Sequence, residues 1–147
     1  MFNIEVKYPS LEDEVKIVQN TTTNKLIKVE SILTPKELIT KVPVSEMVIR
    51  YAVRLVNLTR PESTTLDIVK GFVKWGAGPR ASQNLIIAAK TKALLEGRHH
   101  VSIEDINYLA YSILNHRIIV NYKARAEKID ANYIIDGILD FMRKNDE

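Results

Sequence analysis

Trp75-Gly76-Ala77-Gly78-Pro79-Arg80-Ala81-Ser82-Gln83 is a glycine-broken turn that runs directly into the longest apolar-periodic stretch of the chain. It constrains the fold more than any other feature, because it fixes where the longest helix begins and leaves the rest of the chain to serve as scaffold. Gly76 and Gly78 can take φ > 0 at little cost and so let the backbone turn sharply. Pro79 has the fixed φ that suits a first helical residue, where its missing N–H is not needed. Arg80 then falls in the first helical turn, beside backbone N–H groups that have no partner and favour an anion. A guanidinium there points to a phosphate ligand. The competing reading is that glycine and proline are ordinary helix punctuation and Arg80 a solvated surface charge.

The pattern around this stretch is almost entirely helical. Ser10 caps a helix with Leu11, Val15 and Val18 on one face and Glu12, Asp13 and Glu14 in its first turn, ending between Gln19 and Thr22. Thr34-Pro35-Lys36-Glu37 reads as a capping box opening a short helix that stops before Pro43. A third helix runs from Ser45 to Thr59, with Val48, Tyr51, Ala52, Leu55 and Leu58 on one face, and Arg60-Pro61 ends it. Leu66, Val69, Phe72 and Val73 form a short stripe, weakened by Gly71, that reaches Trp75, which is expected to anchor the core. The long helix from Pro79 to Glu96 carries Leu85, Ile86, Ala88, Ala89, Ala93 and Leu94 and stops at Gly97. Ser102 and Asp105 cap a helix bearing Ile106, Leu109, Ala110 and Ile113. Asp130 caps a last one with Tyr133, Ile134, Ile138 and Met142 on its face, although Gly137 weakens it. Residues 98–101 and 117–120 are candidates for short extended pieces pairing across helix ends.

One segment departs from this period. Phe2, Ile4, Val6 and Tyr8 alternate with polar residues as in a half-buried strand, and a lone strand needs partners for its N–H and C=O groups. The expected architecture is therefore all-α, a bundle of six or seven short helices with an orphan strand at residues 2–8. The 147 residues suffice for one domain with a real core. No run of about 18 apolar residues predicts a membrane span, and no charged-then-apolar leader precedes the first helix. Zero cysteines exclude disulfides and thiolate metal sites and are compatible with the cytoplasm.

Gly76 to Ser82, followed by Leu85, Ala88, Ala89, Lys90, Ala93, Leu94, Gly97 and Arg98, closely resembles the C-terminal lid of MoxR-type AAA+ ATPases. The resemblance continues through Val101-Ser102-Ile103-Glu104-Asp105-Ile106 and Leu114-Asn115-His116-Arg117-Ile118. Upstream, Tyr8-Pro9-Ser10-Leu11-Glu12-Asp13-Glu14 looks like the family's junction between nucleotide-binding core and lid. The resemblance spans roughly residues 1–120. The resemblance implies that residues 1–9 are the end of the core and the hinge, and that residues 10–147 are the helical lid. It also implies that Arg80 is the sensor 2 residue reaching the ATP phosphates, with Gly78, Pro79, Tyr8 and Pro9 around the nucleotide. ATP and Mg²⁺ would belong to a parent protein that hydrolyses ATP in a ring, commonly a hexamer, and remodels partners, including ones with a von Willebrand A-type domain.

The residues set limits on that implication. No G-x-x-x-x-G-K-[ST] loop occurs, nor an apolar strand ending in paired acids for Mg²⁺, so this chain alone is not expected to hydrolyse ATP or hold it tightly. Adjacent His99 and His100 point apart and make a poor metal site. Glu46 is placed to pair with Arg50, so the face carrying Arg50 and Arg54 reads as solvated. The alternative of a stand-alone helical binding module, for nucleic acid above all, predicts basic residues clustered on one helix. With a net charge of only +3, the positives instead spread over Lys7, Arg50, Lys70, Arg80, Arg98, Arg117 and Arg125. A purely structural adaptor would ask nothing special of Arg80.

Overall fold

The computed structural model describes residues 8–22 and 35–145. Its elements run α1 (Leu11–Thr22), α2 (Pro35–Lys41), α3 (Glu46–Leu58), α4 (Asp67–Phe72), β1 (Val73–Trp75), α5 (Pro79–Leu95), α6 (Ile103–Leu114), β2 (Ile119–Val120), α7 (Tyr122–Ala126) and α8 (Ala131–Asn145). The described residues thus form a helical bundle of eight helices, one more than the pattern indicates. The added element is the five-residue α7, too short to show a period. The alternating run at residues 2–7 lies outside the described residues, and Tyr8 carries no strand.

Helix starts follow the capping chemistry of the sequence. The Asp13 amide donates to Ser10 Oγ at 3.2 Å, and Ser10 Oγ donates to Asp13 Oδ2 at 2.6 Å. Ser45 Oγ accepts from the Val48 amide, Asp105 Oδ2 accepts from the Ser102 amide, and Asp130 Oδ1 accepts from the Tyr133 amide. Each such cap satisfies a first-turn donor and contributes about 1 kcal/mol. At the other end of α5, Gly97 takes φ 70°, which lets the Arg98 amide reach the Ala93 carbonyl at 2.8 Å and close the helix.

The central helix is α3, buried at Val48, Ile49, Tyr51, Ala52, Val53, Leu55 and Val56. Against it packs α5, whose Ala81, Ala89 and Ala93 keep its surface low and admit α1 and α6 close by. Ile134, Ile135, Ile138, Leu139 and Met142 close the core from α8. That helix runs unbroken through Gly137, where a Cβ would meet Ile68 Cδ1 of α4 at 3.2 Å, so the small residue admits a neighbouring helix. Each fully buried Leu or Ile contributes about 1.5–3 kcal/mol by leaving water.

Four expectations are corrected. The helix at Leu66 stops at Phe72, and Val73–Trp75 become a strand pairing antiparallel with Ile119–Val120, not with residues 98–101. An irregular register within β1 breaks the inward–outward alternation. Val73 is therefore buried, and Trp75, expected in the core, is 54% exposed. Leu11 and Tyr133 also point largely to solvent, because the packed stripes of α1 and α8 lie beside them. No helix among the described residues is long and apolar enough to cross a membrane.

Candidate functional site

The turn from Gly76 to Arg80 sits where the end of α3, the start of α5 and α1 meet. Gly78 is the N-cap of α5, with φ −84° and no side chain to cap it, and Pro79 opens the helix. First-turn N–H groups of α5 therefore have no side-chain acceptor at Gly78. Arg80 is exposed and forms no hydrogen bond or ion pair among the described residues. An uncapped helix start beside a free guanidinium is an arrangement that suits an anion.

The glycines act differently from the expectation. Among the described glycines only Gly97 has positive φ, so neither Gly76 nor Gly78 is there for a left-handed turn. Gly76 is required by closeness. A Cβ there would lie 2.5 Å from the Thr59 carbonyl oxygen and 2.7 Å from Arg60 Cα. At Gly78 a Cβ would meet nothing within 4 Å.

What presses against Gly76 is a buried polar knot that the sequence pattern did not reveal. Arg60 and Glu14 are 2% and 0% exposed, and Arg60 Nη2 donates to Glu14 Oε2 at 2.8 Å. Arg60 Nε donates to the Ala77 carbonyl at 2.9 Å, while the Ala77 amide donates to Thr59 Oγ1 at 2.9 Å. Ser82 Oγ, in the first turns of α5, donates to Glu14 Oε1 at 2.6 Å. The Arg60 guanidinium lies 4.4 Å from the centre of the Tyr8 ring, and the Tyr8 hydroxyl donates to the Gly76 carbonyl at 3.3 Å. Both Glu14 oxygens and two of the three Arg60 guanidinium nitrogens are thus used, as burial of charge demands.

Of the residues singled out, Tyr8, Gly78, Pro79 and Arg80 come together around this knot. Tyr8 and Pro9 also line an open cleft of about 530 Å³ with Leu11, Asn57, Arg60 and Ser63. Glu14, Thr59, Arg60 and Ser82 were not anticipated. The signal for Glu14 is positional: it stands four residues before Val18, on the apolar stripe, where a carboxylate must find a buried cation. Arg60 reads only as a helix terminator.

A second charge cluster closes the far end of α5. Asp105, 2% exposed, accepts from Arg98 Nη1 and Nη2 at 2.8 and 2.6 Å and from Lys92 Nζ at 3.1 Å, and Glu96 bridges Lys92 and Arg98. Burial alone would raise the Asp105 carboxyl, but Arg98, the Ser102 amide and Lys92 together hold it well below the usual carboxylate range. Arg50 pairs with Glu46 at 2.8 Å as its spacing implies, and with Glu12 at 2.8 Å besides. His99 and His100 are exposed, and among the described residues no group of three His, Cys, Asp or Glu side chains is placed to hold a metal ion.

Comparison with known proteins places this geometry. Residues 66–138 match the family described as the AAA lid domain. The chain is 32% identical over 145 residues to chaperone MoxR1 of Mycobacterium tuberculosis, covering 95% of this chain and 38% of that protein. It is 28% identical to the uncharacterized protein YeaC of Bacillus subtilis, over 95% of this chain and 43% of that one. A crystal structure of a candidate ATPase from Cytophaga hutchinsonii superposes with a TM-score of 0.67 at 35% identity, over 92% of this chain and 44% of that one. The chain spans less than half the length of each of these relatives.

Proposed function

This chain is a lid domain of the MoxR type within the AAA+ family, and from that premise we propose that it is a nucleotide-responsive lid whose Arg80 is the sensor 2 residue. The nucleotide-binding core holds ATP and Mg²⁺. The groups of this chain that fit the phosphates are the Arg80 guanidinium and the Arg80 amide in the first turn of α5, with Gly78 and Pro79 shaping the approach. Residues 1–9 form the end of the core and the hinge, where Tyr8 and Pro9 stand beside the nucleotide, and residues 10–147 move as the lid. When phosphate draws Arg80 inward, the bundle follows as a body, which converts nucleotide state into displacement. In this reading the parent assembles as a ring, commonly hexameric, in the cytoplasm and remodels partner proteins, von Willebrand A-type domain proteins among them, as a chaperone does.

The observation that carries the reading is the contrast at Arg80 itself. Its side chain is exposed and unengaged, while the turn that presents it is tied down by the Thr59 hydroxyl and by the Arg60 guanidinium. A surface arginine without a role needs no such mounting. One charge-assisted hydrogen bond contributes about 1.5–3 kcal/mol, one to two powers of ten in affinity, so most of the affinity for nucleotide lies in the core.

The test is ATP hydrolysis by a protein joining this lid to its nucleotide-binding core. Arg80→Ala is expected to lower turnover by roughly 10²–10³-fold, the range for removing one donor from developing charge. The same substitution in the isolated lid is expected to leave its melting temperature unchanged. Wild-type turnover in the variant would exclude the sensor role, and a fall in melting temperature of several degrees would make Arg80 structural.

A further inference from the structure

Tyr8 is 39% exposed, yet it is tied to the turn through two separate contacts: its hydroxyl on the Gly76 carbonyl and its ring on the Arg60 guanidinium. Core packing does not account for so specific an attachment of a half-exposed side chain. Arg60 in turn touches three segments of different origin. Its face meets Tyr8 of the entering chain, its Nη2 meets Glu14 of α1, and its Nε meets Ala77 of the turn. A guanidinium is planar and rigid, with donors in a fixed fork, so it cannot follow one partner without turning away from another.

The turn is held at both ends by the same pair. Ala77 bonds to Arg60 through its carbonyl, and Ser82 bonds to Glu14 through its hydroxyl. Arg80 lies between these two anchors in the chain. We propose that Arg60 is a positioning residue, coupling the direction in which the chain enters at Tyr8 to the orientation of the Gly76–Arg80 turn. Domain rotation at the hinge moves Tyr8, Tyr8 moves the Arg60 fork, and the fork resets the turn that carries Arg80. Coupling runs equally in the other direction, from an anion held at Arg80 to the hinge. The consequence for nucleotide rests on the reading of Arg80 as a phosphate-facing side chain; the mechanical coupling does not.

Two measurements test it. In the lid alone, Tyr8→Leu removes the hydroxyl and the ring together without opening the core. Amide hydrogen exchange at Ala77, bonded to Thr59 Oγ1, and at Ala81, bonded to the Gly78 carbonyl, is expected to accelerate about fivefold or more, while amides of α8 and the melting temperature stay unchanged. Unchanged exchange at the turn, or the same acceleration throughout, would overturn the coupling. In the core-plus-lid protein, Arg60→Lys keeps the charge opposite Glu14 but loses the fork. It is expected to lower kcat in the wild-type background and to have no further effect once Arg80→Ala is present. An equal fall in both backgrounds would make Arg60 merely structural. Should Arg80→Ala alone leave turnover intact, the sensor reading fails by itself, and exchange at Ala77 and Ala81 still decides the coupling.

Discussion

The molecule holds two ionic clusters at opposite ends of α5, and they differ in how much water reaches them. At the N-terminal end Glu14 and Arg60 are both buried and paired with each other. At the C-terminal end only Asp105 is sealed, while Lys92, Arg98 and Glu96 reach solvent. A sealed pair loses its hydration on folding and recovers it only if the geometry is nearly ideal, so it adds little net stability but strongly resists the removal of one partner. A half-open cluster is screened and tolerant. The lid thus has a rigid end, where Arg80 is mounted, and an adaptable end, which merely joins α5 to α6.

The contrast breaks first at Glu14. Glu14→Ala strands a buried guanidinium and is expected to destabilise the lid by about 3–5 kcal/mol in urea unfolding. A loss below about 1 kcal/mol, the ordinary value for a surface pair, would erase the distinction between the two ends. Next comes Gly76→Ala, where the added methyl meets backbone at 2.5 Å and has no flexible side chain to push aside. A destabilisation of about 1–3 kcal/mol is expected, against little change for Gly78→Ala, which opens into free space. Equal tolerance at the two glycines would mean that the turn is not pressed against Thr59 and Arg60.

The smallest effect belongs to the open end. Asp105→Asn keeps the shape but removes the charge facing Arg98 and Lys92, and a loss of about 0.5–1.5 kcal/mol at pH 7 is expected. Its pH dependence has a definite sign. The folded-state pKa of Asp105 lies below the ordinary value of 3.8, so its contribution is present above pH 3.8 and is lost as pH falls below it. Wild type and Asp105→Asn should therefore converge in stability toward acid. A gap that widens on acidification would reverse the sign and refute the assignment.

Much of the scaffold was legible because it is local. Ser10, Ser45, Asp105 and Asp130 announce helix starts through side-chain acceptors close to the amides they serve, and Gly97 announces a stop through φ. Val73–Trp75 reads as helix in the sequence because three residues carry no period, and their strand exists only through partners more than forty positions away. Trp75 was misplaced for the same reason. Arg80 stands out by its local setting, whereas the knot behind it leaves no local trace. Glu14, Arg60 and Ser82 lie 46 and 68 positions apart along their bonds, and nothing near Arg60 in the chain shows that it is buried. At Gly76 what matters is the missing Cβ, not the freedom of φ.

The most direct measurement is of lid closure itself. The chain has no cysteine, so one introduced at exposed Tyr133 gives a single label on the lid, to be paired with a second label on the core for distance measurement by fluorescence transfer. Addition of a non-hydrolysable ATP analogue is expected to shorten the distance in the wild-type core-plus-lid protein and to leave it at the nucleotide-free value in Arg80→Ala. Equal closure in the two proteins would show that Arg80 does not draw the lid onto the phosphates.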